Sequence, residues 1–249
     1  MEEELSCVDC GVIKCQKQDG EYPDFCKTKN LTIEEMRQIN DLYNQDNNRE
    51  VSRISAEIEA EFYCQYTRVE EIIEFAKRLN CKRIGIATCV GLLDESRVFA
   101  EILKSNGFEV VAAICKIGSM KKTIVTGIDK EKTVKTGNIM CNPILQAQIL
   151  NNEETDLNVV IGLCVGHDSL FYKYSEALVT TLVTKDRVLA HNPAGALYQT
   201  GTYYSKLMKW LIKELVYKYN YRVMGVNLWN RGFMQYLLFA WCCFWWLHQ

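Results

Sequence analysis

The sequence contains no Gly-x-Gly-x-x-Gly and no Walker-type loop, so a standard dinucleotide or nucleoside-triphosphate cradle is unsupported. It also lacks a Gly-x-Ser-x-Gly elbow. His167, Asp168 and Ser169 stand in direct succession, but adjacent residues of one turn cannot relay a proton among themselves, which weakens a serine hydrolase reading. Asp168 reads instead as a helix N-cap. Charge of one sign is missing as well: the formal net charge is −2 and acidic and basic residues alternate. With no basic stripe, nucleic acid is not an expected partner. The opening Met1-Glu2-Glu3-Glu4-Leu5 has neither the positive flank nor the apolar run of a secretory signal, so the expected location is the cytoplasm. The longest aromatic-rich uncharged run, residues 232–247, has 16 residues and falls short of the roughly 20 that span a bilayer.

Against these absences stand 12 cysteines. In an exported domain they would suggest a disulfide framework. In a reducing compartment thiols stay free, and clustered ones more often hold metal or do redox work. Any single cysteine can serve as a small buried hydrophobe, so the placement of the set has to decide.

Composition divides the 249 residues, 48% of them hydrophobic, into a cysteine-rich head (1–30), a core domain (31–204) and a Trp-rich tail (205–249). The core begins with two helix starts. Thr32-Ile33-Glu34-Glu35 and Thr67-Arg68-Val69-Glu70 are capping boxes, the second ahead of a Val69, Ile72, Ile73, Phe75, Ala76 stripe. Between them, Ile54, Ala56, Ile58 and Phe62 predict a helix over about 51–63. Short apolar runs at 83–89, 109–115, 158–164 and 178–184 resemble buried parallel strands. Helical patterns at 92–105, 143–150 and 168–174 separate them, and alternation of this kind predicts an α/β fold. Its mainly parallel, Rossmann-like sheet would be flanked by helices and joined by right-handed crossovers. Residues 116–140 lack periodicity and carry Lys121, Lys122, Lys130, Lys132 and Lys135, so they read as an exposed excursion, a flap over a site. All five tryptophans, Trp210, Trp229, Trp241, Trp245 and Trp246, fall in the tail. There an interfacial membrane segment and a buried or oligomer-forming helix are both compatible with the pattern. Cys242 and Cys243 look like apolar packing within it.

The head spaces its thiols as Cys7-x2-Cys10-x4-Cys15-x10-Cys26. A Cys-x2-Cys turn lets two sulfurs reach one ion, and a segment so poor in apolar residues would draw its folding energy from metal. Four thiolates suit zinc or an iron–sulfur cluster, and the spacing does not choose. The ferredoxin spacing is absent, and so is the histidine that a nucleic-acid zinc knuckle would carry near Cys15.

A second cysteine set sits at strand ends. Cys89-Val90-Gly91-Leu92 and Cys164-Val165-Gly166-His167 repeat the same strand-to-helix turn, and Cys115 ends another strand before Lys116. Cys141-Asn142-Pro143 and His191-Asn192-Pro193 each read as a helix start, with Asn as N-cap and Pro at the first position. Ligands of open parallel sheets bind outside the carboxyl ends of the strands. Cys89, Cys115, Cys164, Cys141, His167 and His191 are therefore expected to converge there, with helix N-termini favouring thiolates. Cys64 is a further candidate; for Cys81 packing is the favoured role. Lys185-Asp186-Arg187 reads as a solvated turn, with binding of substrate charge as the alternative.

The blocks Arg68-Val-Glu-Glu-Ile-Ile, Gly85-Ile-Ala-Thr-Cys89-Val-Gly-Leu, Met140-Cys-Asn-Pro-Ile, Val160-Ile-Gly-Leu-Cys-Val-Gly-His-Asp-Ser-Leu-Phe and Lys185-Asp-Arg-Val-Leu-Ala-His-Asn-Pro resemble a known group. They are similar to the uncharacterised metal-binding proteins of prokaryotes gathered as the domain-of-unknown-function family numbered 1847. The resemblance covers about Cys7 to Tyr204. It implies a cysteine-rich head, an α/β body and metal binding, with no assigned reaction.

The reading that joins these features is a cytoplasmic metalloprotein with iron–sulfur or zinc in the head and a second cysteine site at the sheet edge. It would serve electron transfer with a redox partner protein or thiol redox chemistry, with Cys89 or Cys164 as a reactive thiolate. The alternative is a non-catalytic, zinc-stabilised module that senses or stores metal or binds a small molecule. A third reading makes the chain a peripheral protein at the inner face of the membrane, held by its tail.

Overall fold

The computed structural model describes residues 5–16 and 20–208. The Trp-rich stretch, with Cys242, Cys243 and the membrane reading, lies outside the described residues. The chain divides into two compact units, residues 1–185 and 186–249.

In the first unit the described residues of the head form short 3-10 turns, Cys7–Asp9, Lys14–Gln16 and Thr28–Asn30, none of whose side chains is buried. Val8 is 91% exposed. That matches a segment with too little apolar surface to fold by itself. Three helices follow: α1 (Ile33–Tyr43), α2 (Asn48–Phe62) and α3 (Arg68–Arg78). Both capping boxes form. Thr32 and Thr67 each accept the N–H of the Glu three residues on, and that Glu accepts the cap N–H in return, which fixes both helix starts. Arg78 joins α3 to α2 through Glu61 (2.6 Å) and Glu57 (3.6 Å).

The remaining elements alternate: β1 (Arg83–Thr88), α4 (Leu93–Ser105), β2 (Glu109–Ile114), α5 (Lys122–Val125), α6 (Pro143–Asn152), β3 (Leu157–Ile161), α7 (His167–Tyr174) and β4 (Leu178–Val183). All strand pairs are parallel, in the order β2-β1-β3-β4. The α/β class expected from the alternation is therefore what forms. Because strand side chains alternate in direction, Ile84 and Ile86 join Ile72, Phe99, Leu103 and Ile161 on the α3–α4 face. Ala87, Ala113 and Val160 join Ala147, Leu150 and Phe171 on the α6–α7 face. Both faces are covered, as a parallel sheet requires. The α6 face is built from small residues, and at Gly85 the reason is visible. A Cβ there would lie 1.9 Å from Asn158 Oδ1 on the neighbouring strand. Asn158 is itself fully buried and held by Thr155 and Ser175 (2.8 Å each).

The strands stop short of the cysteines that the sequence assigned to them. β1 ends at Thr88, β2 at Ile114 and β3 at Ile161, leaving Cys89, Cys115 and Cys164 in the turns beyond. β3 stops because Gly162 takes φ +64, a left-handed conformation that breaks the ladder. The N-cap assigned to Asp168 is also corrected. Gly166, at φ 85, stands before α7, and His167 is its first residue. Asp168 reaches back so that its Oδ1 accepts the N–H groups of Gly166 (2.9 Å) and Ser169 (2.8 Å). Among the described residues no helix is long and apolar enough to cross a membrane. The second unit contains α8 (Ala194–Tyr198), which begins one residue after the proline expected to open it.

Candidate thiolate centre at the carboxyl edge of the sheet

Parity brings two of the cysteines together. Ala87 pairs with Ala113 across β1 and β2, and Cys89 and Cys115 lie two residues beyond each, on the same α6-side face. Both are buried, 7% and 2% exposed, within that face's core. Cys141 arrives from the other direction. It precedes α6, whose cap Asn142 accepts the Leu145 N–H through Oδ1 (3.1 Å) and donates its own N–H to the Cys115 carbonyl (2.7 Å). That last bond ties the α6 N-terminus to the end of β2. Below it Gln146, fully buried, donates through Nε2 to the carbonyls of Thr88 (3.2 Å) and Ala113 (2.7 Å). One side chain thus braces the two strand ends that carry Cys89 and Cys115.

The sulfurs form a chain of contacts. Cys115 is hydrogen-bonded to both Cys89 and Cys141, and Cys141 in turn to His167. Cys115 Sγ accepts the Val90 N–H at 3.3 Å, and Cys89 Sγ accepts the Gly91 N–H at 3.5 Å. The hydrogen bond from Cys115, with the Gly91 amide and the Lys185 ammonium, pulls the Cys89 thiol down to about 5. The bonds from Cys115 and His167, aided by the charge of Lys116, bring Cys141 down to about 3. Cys115 moves the other way, far above the ordinary thiol range, because both neighbours favour its protonated form and burial does too. Cys115 has one S–H and serves one neighbour at a time. Two thiolates around one thiol is therefore the charge state this geometry supports.

Three buried side-chain polar atoms lack a hydrogen-bond partner among the described residues: Asn138 Oδ1, Gln146 Oε1 and His167 Nδ1. Gln146 and His167 adjoin the cysteines, and Asn138 lies in the excursion just before Cys141. That excursion is pinned by a bridge between Lys121 and Ile139, by Lys122 N–H to the Asn138 carbonyl (2.7 Å) and by Lys116 Nζ to the Ile139 carbonyl (2.7 Å). Its residues Lys122, Thr126 and Ile128 line a cleft of about 310 Å³ together with Cys141, Asn142, Pro143 and His167. The flap expected over 116–140 accordingly borders the cysteine cluster.

The other candidates fall in different places. Cys164 is half-buried in the turn before α7, its carbonyl accepting from the N–H groups of His167 (2.8 Å) and Asp168 (3.1 Å). The echo with Cys89 holds here, since the Cys89 carbonyl accepts from Leu92 at 2.9 Å. His191 belongs to the second unit, where its Nδ1 accepts the Asp186 N–H (3.1 Å) and its own N–H goes to the Asp186 carbonyl (2.9 Å). In the head Cys7 and Cys15 are exposed and Cys10 and Cys26 half-buried. The Cys26 thiol is lowered by the Lys29 amide. Cys64 is exposed. Cys81 packs against the α3–α4 core, where burial pushes its thiol up to about 11, in keeping with a packing role. Among the described residues no three Cys, His, Asp or Glu side chains converge tightly enough on one point to hold an ion as they stand.

Sequence reasoning missed Gln146 altogether and did not connect Lys185 with the cysteines. Lys185 reaches from the end of β4, and its Nζ lies 3.8 Å from where a Cβ on Gly91 would be, with Cys89 Sγ at 4.0 Å from the same point. It is half-buried and charge-paired with Cys89, which corrects its reading as part of a solvated turn. Its position just past a strand's carboxyl end was the available signal.

These features define an α/β protein with a buried thiol cluster beyond the carboxyl ends of β1 and β2, beside the start of α6. Residues 26–182 match the family described as "Protein of unknown function (DUF1847)", and the chain belongs to that family. Among curated proteins it is 47% identical over 198 residues to "Uncharacterized protein MJ0455" of Methanocaldococcus jannaschii, covering 79% of this chain and 97% of that protein. Two structures of Dph2 from Pyrococcus horikoshii are distant neighbours. One covers 38% of this chain and 22% of Dph2 at 20% identity with a TM-score of 0.26. The other, described as carrying a 4Fe-4S cluster, covers 58% and 33% at 18% identity with a TM-score of 0.31. This chain thus spans a third or less of Dph2, and likeness at that level carries no functional argument.

Proposed function

We propose that this protein is a cysteine-ligated metalloprotein whose working centre is the carboxyl-edge set Cys89, Cys115 and Cys141. A second, structural site would use Cys7, Cys10, Cys15 and Cys26 of the head. The observation that carries the reading is the meeting of three sulfurs from three separate chain segments, each isolated in sequence, beside the unpartnered Nδ1 of His167. The donor chemistry fits a soft ion or cluster: thiolate ligands, an imidazole alongside, and cations that offset the charge. Gathering the sulfurs on one centre requires them to swing about χ1, because no three donors converge as they stand. Iron–sulfur and zinc both suit such ligands, the first supplying one-electron transfer and the second Lewis acidity or structure. Cys164 is a further candidate for ligation.

The chain's own residues have clear parts in this reading. Lys185 and the Gly91 amide hold Cys89 as a thiolate, Lys116 and His167 do so for Cys141, and Gln146 keeps the β1 and β2 ends in register. Working as an electron carrier, the protein would need a redox partner protein. A second reading, dithiol–disulfide exchange with the disulfide of a partner protein, is favoured by the pairwise character of the contacts, since Cys115 touches both thiolates. Cys89 or Cys141 would attack the partner's disulfide and release one of its thiols. Cys115, giving up its proton, would then attack the mixed disulfide, form a disulfide with that cysteine and release the partner's second thiol.

The test is anaerobic purification followed by iron, zinc and acid-labile sulfide per chain and a visible spectrum. Brown protein that loses its iron and sulfide when Cys89, Cys115 and Cys141 become Ser supports the centre proposed here. Colourless protein with one zinc, released only by Cys7→Ser or Cys10→Ser, refutes it for the sheet edge and leaves thiol exchange as the reading.

A further inference from the structure

The cleft beneath the flap opens onto Cys141 and His167, the outer end of the cluster. Its walls are largely apolar, from Ile128, Met140, Pro143, Ile144 and Leu170. At 310 Å³ it sits near the lower bound of ligand sites, about 300–1,000 Å³, so it takes a small molecule. None of its lining residues is acidic. Lys122 contributes the one ammonium, bonded to Thr136 Oγ1 (2.8 Å) and to no carboxylate among the described residues. The ten-residue helix α6 turns its N-terminus toward the same space, since its cap Asn142 and its first residues Pro143 and Ile144 all line it. Pro143 has no N–H, Asn142 takes the Leu145 N–H through its side chain and the Gln146 N–H (3.0 Å) through its carbonyl, and so the Ile144 amide is the one that faces a ligand at this terminus; such termini attract anions. The buried Nδ1 of His167 adds a polar atom without a hydrogen-bond partner among the described residues to the lining.

We infer that this cleft binds a small monoanion with an apolar body, a medium-chain carboxylate or a molecule of that chemistry. Its charged end would lie between Lys122 and the start of α6, and its body against Leu170 and Ile144. The inference deepens the proposed function by giving the sheet-edge centre a substrate class and an entrance, with the flap as the wall that selects for size. Neither a neutral molecule of the same shape nor a polyanion fits equally well. The first leaves the Lys122 charge unused, and the second places excess charge against the Cys141 sulfur and apolar walls.

Calorimetric titration of the full chain with octanoate tests this, the metal content of the same sample being measured separately so that loss of the centre and loss of the cleft are told apart. One site per chain is expected. Octanamide should bind about fivefold more weakly, as should octanoate to Lys122→Met, that being the worth of one partly exposed charge contact. Leu170→Trp should abolish binding by filling the cleft. Leu170 is 38% exposed, so the larger side chain is tolerated by the fold, and Ile144→Phe, at a position 40% exposed, serves as the second filling variant. No octanoate binding, equal affinity for octanamide, or binding that survives both filling variants would each overturn the inference.

Discussion

Replacing Gly85 by Ala probes the packing that brings β1 and β3 together below the centre. The added Cβ meets Asn158 Oδ1 at 1.9 Å and Leu150 Cδ1 at 3.0 Å, well inside van der Waals distance. Two responses are open to the fold. If the strands shift apart, overpacking costs about 1–3 kcal/mol. If Asn158 rotates away, it gives up its bonds to Thr155 and Ser175, and a buried amide without partners costs a similar 1–3 kcal/mol. Against either stands the lower entropy of the unfolded alanine chain, about 0.4–1 kcal/mol in its favour, since Gly85 is not among the positive-φ glycines. The clash wins, and a net loss of about 1–3 kcal/mol is expected. Urea unfolding followed by circular dichroism should show a lower midpoint with an unchanged slope. The same substitution made in Asn158→Ala removes the obstacle and should fall within about 0.5 kcal/mol of that background. A Gly85→Ala protein as stable as wild type, or one losing equally in both backgrounds, would refute the reasoning.

Other substitutions separate stability from the site. Gln146→Met removes two bonds of about 0.5–1.5 kcal/mol each but also the unpartnered Oε1, whose burial costs about 1–3 kcal/mol. Thr88 keeps its ladder bond from the Cys115 N–H (2.8 Å), so stability should stay within about 1 kcal/mol of wild type while metal leaves faster to a chelator. Unchanged release rates would deny Gln146 its bracing role. Glu70 accepts the Thr67 N–H and Oγ–H (2.7 Å each), which holds its carboxyl below the ordinary 4.5. Its folded value is depressed, so its contribution is present above the unfolded value and disappears as pH falls through the folded one. Glu70→Gln should flatten that acid limb in unfolding midpoints measured from pH 6 to 3, and parallel limbs would contradict the capping account. Arg78→Met should cut the link from α3 to Glu57 and Glu61 on α2, raising amide exchange in α2 more than in β1 or β3. Equal protection of α2 in wild type and Arg78→Met would show the ion pairs to be decorative.

Local stereochemistry made much of this protein readable in advance. The capping boxes at Thr32 and Thr67 start helices because their donors and acceptors lie within four residues of each other. The apolar runs at β1 to β4 alternate with helical patterns because a parallel strand must be followed by a crossover. Cys89, Cys115 and Cys141 could be assigned to one edge for the same reason: each ends a strand or opens a helix. Asp168 was misassigned because a glycine at φ 85 can begin a helix that a side-chain cap was expected to begin.

Tertiary structure alone decided the rest, since those contacts depend on strand order and register rather than on neighbours in the chain. The order β2-β1-β3-β4 and the pairing of Ala87 with Ala113 set Cys89 beside Cys115. The bond from Asn142 to the Cys115 carbonyl then brings Cys141 to the same place across 26 residues of sequence. Lys185 and Gln146 reach the cluster only because β4 and α6 dock where they do, and a lysine or glutamine has no local pattern that announces such an arrival. The sequence named the sulfurs; packing chose which of them touch, which keeps its proton, and which cleft leads to them.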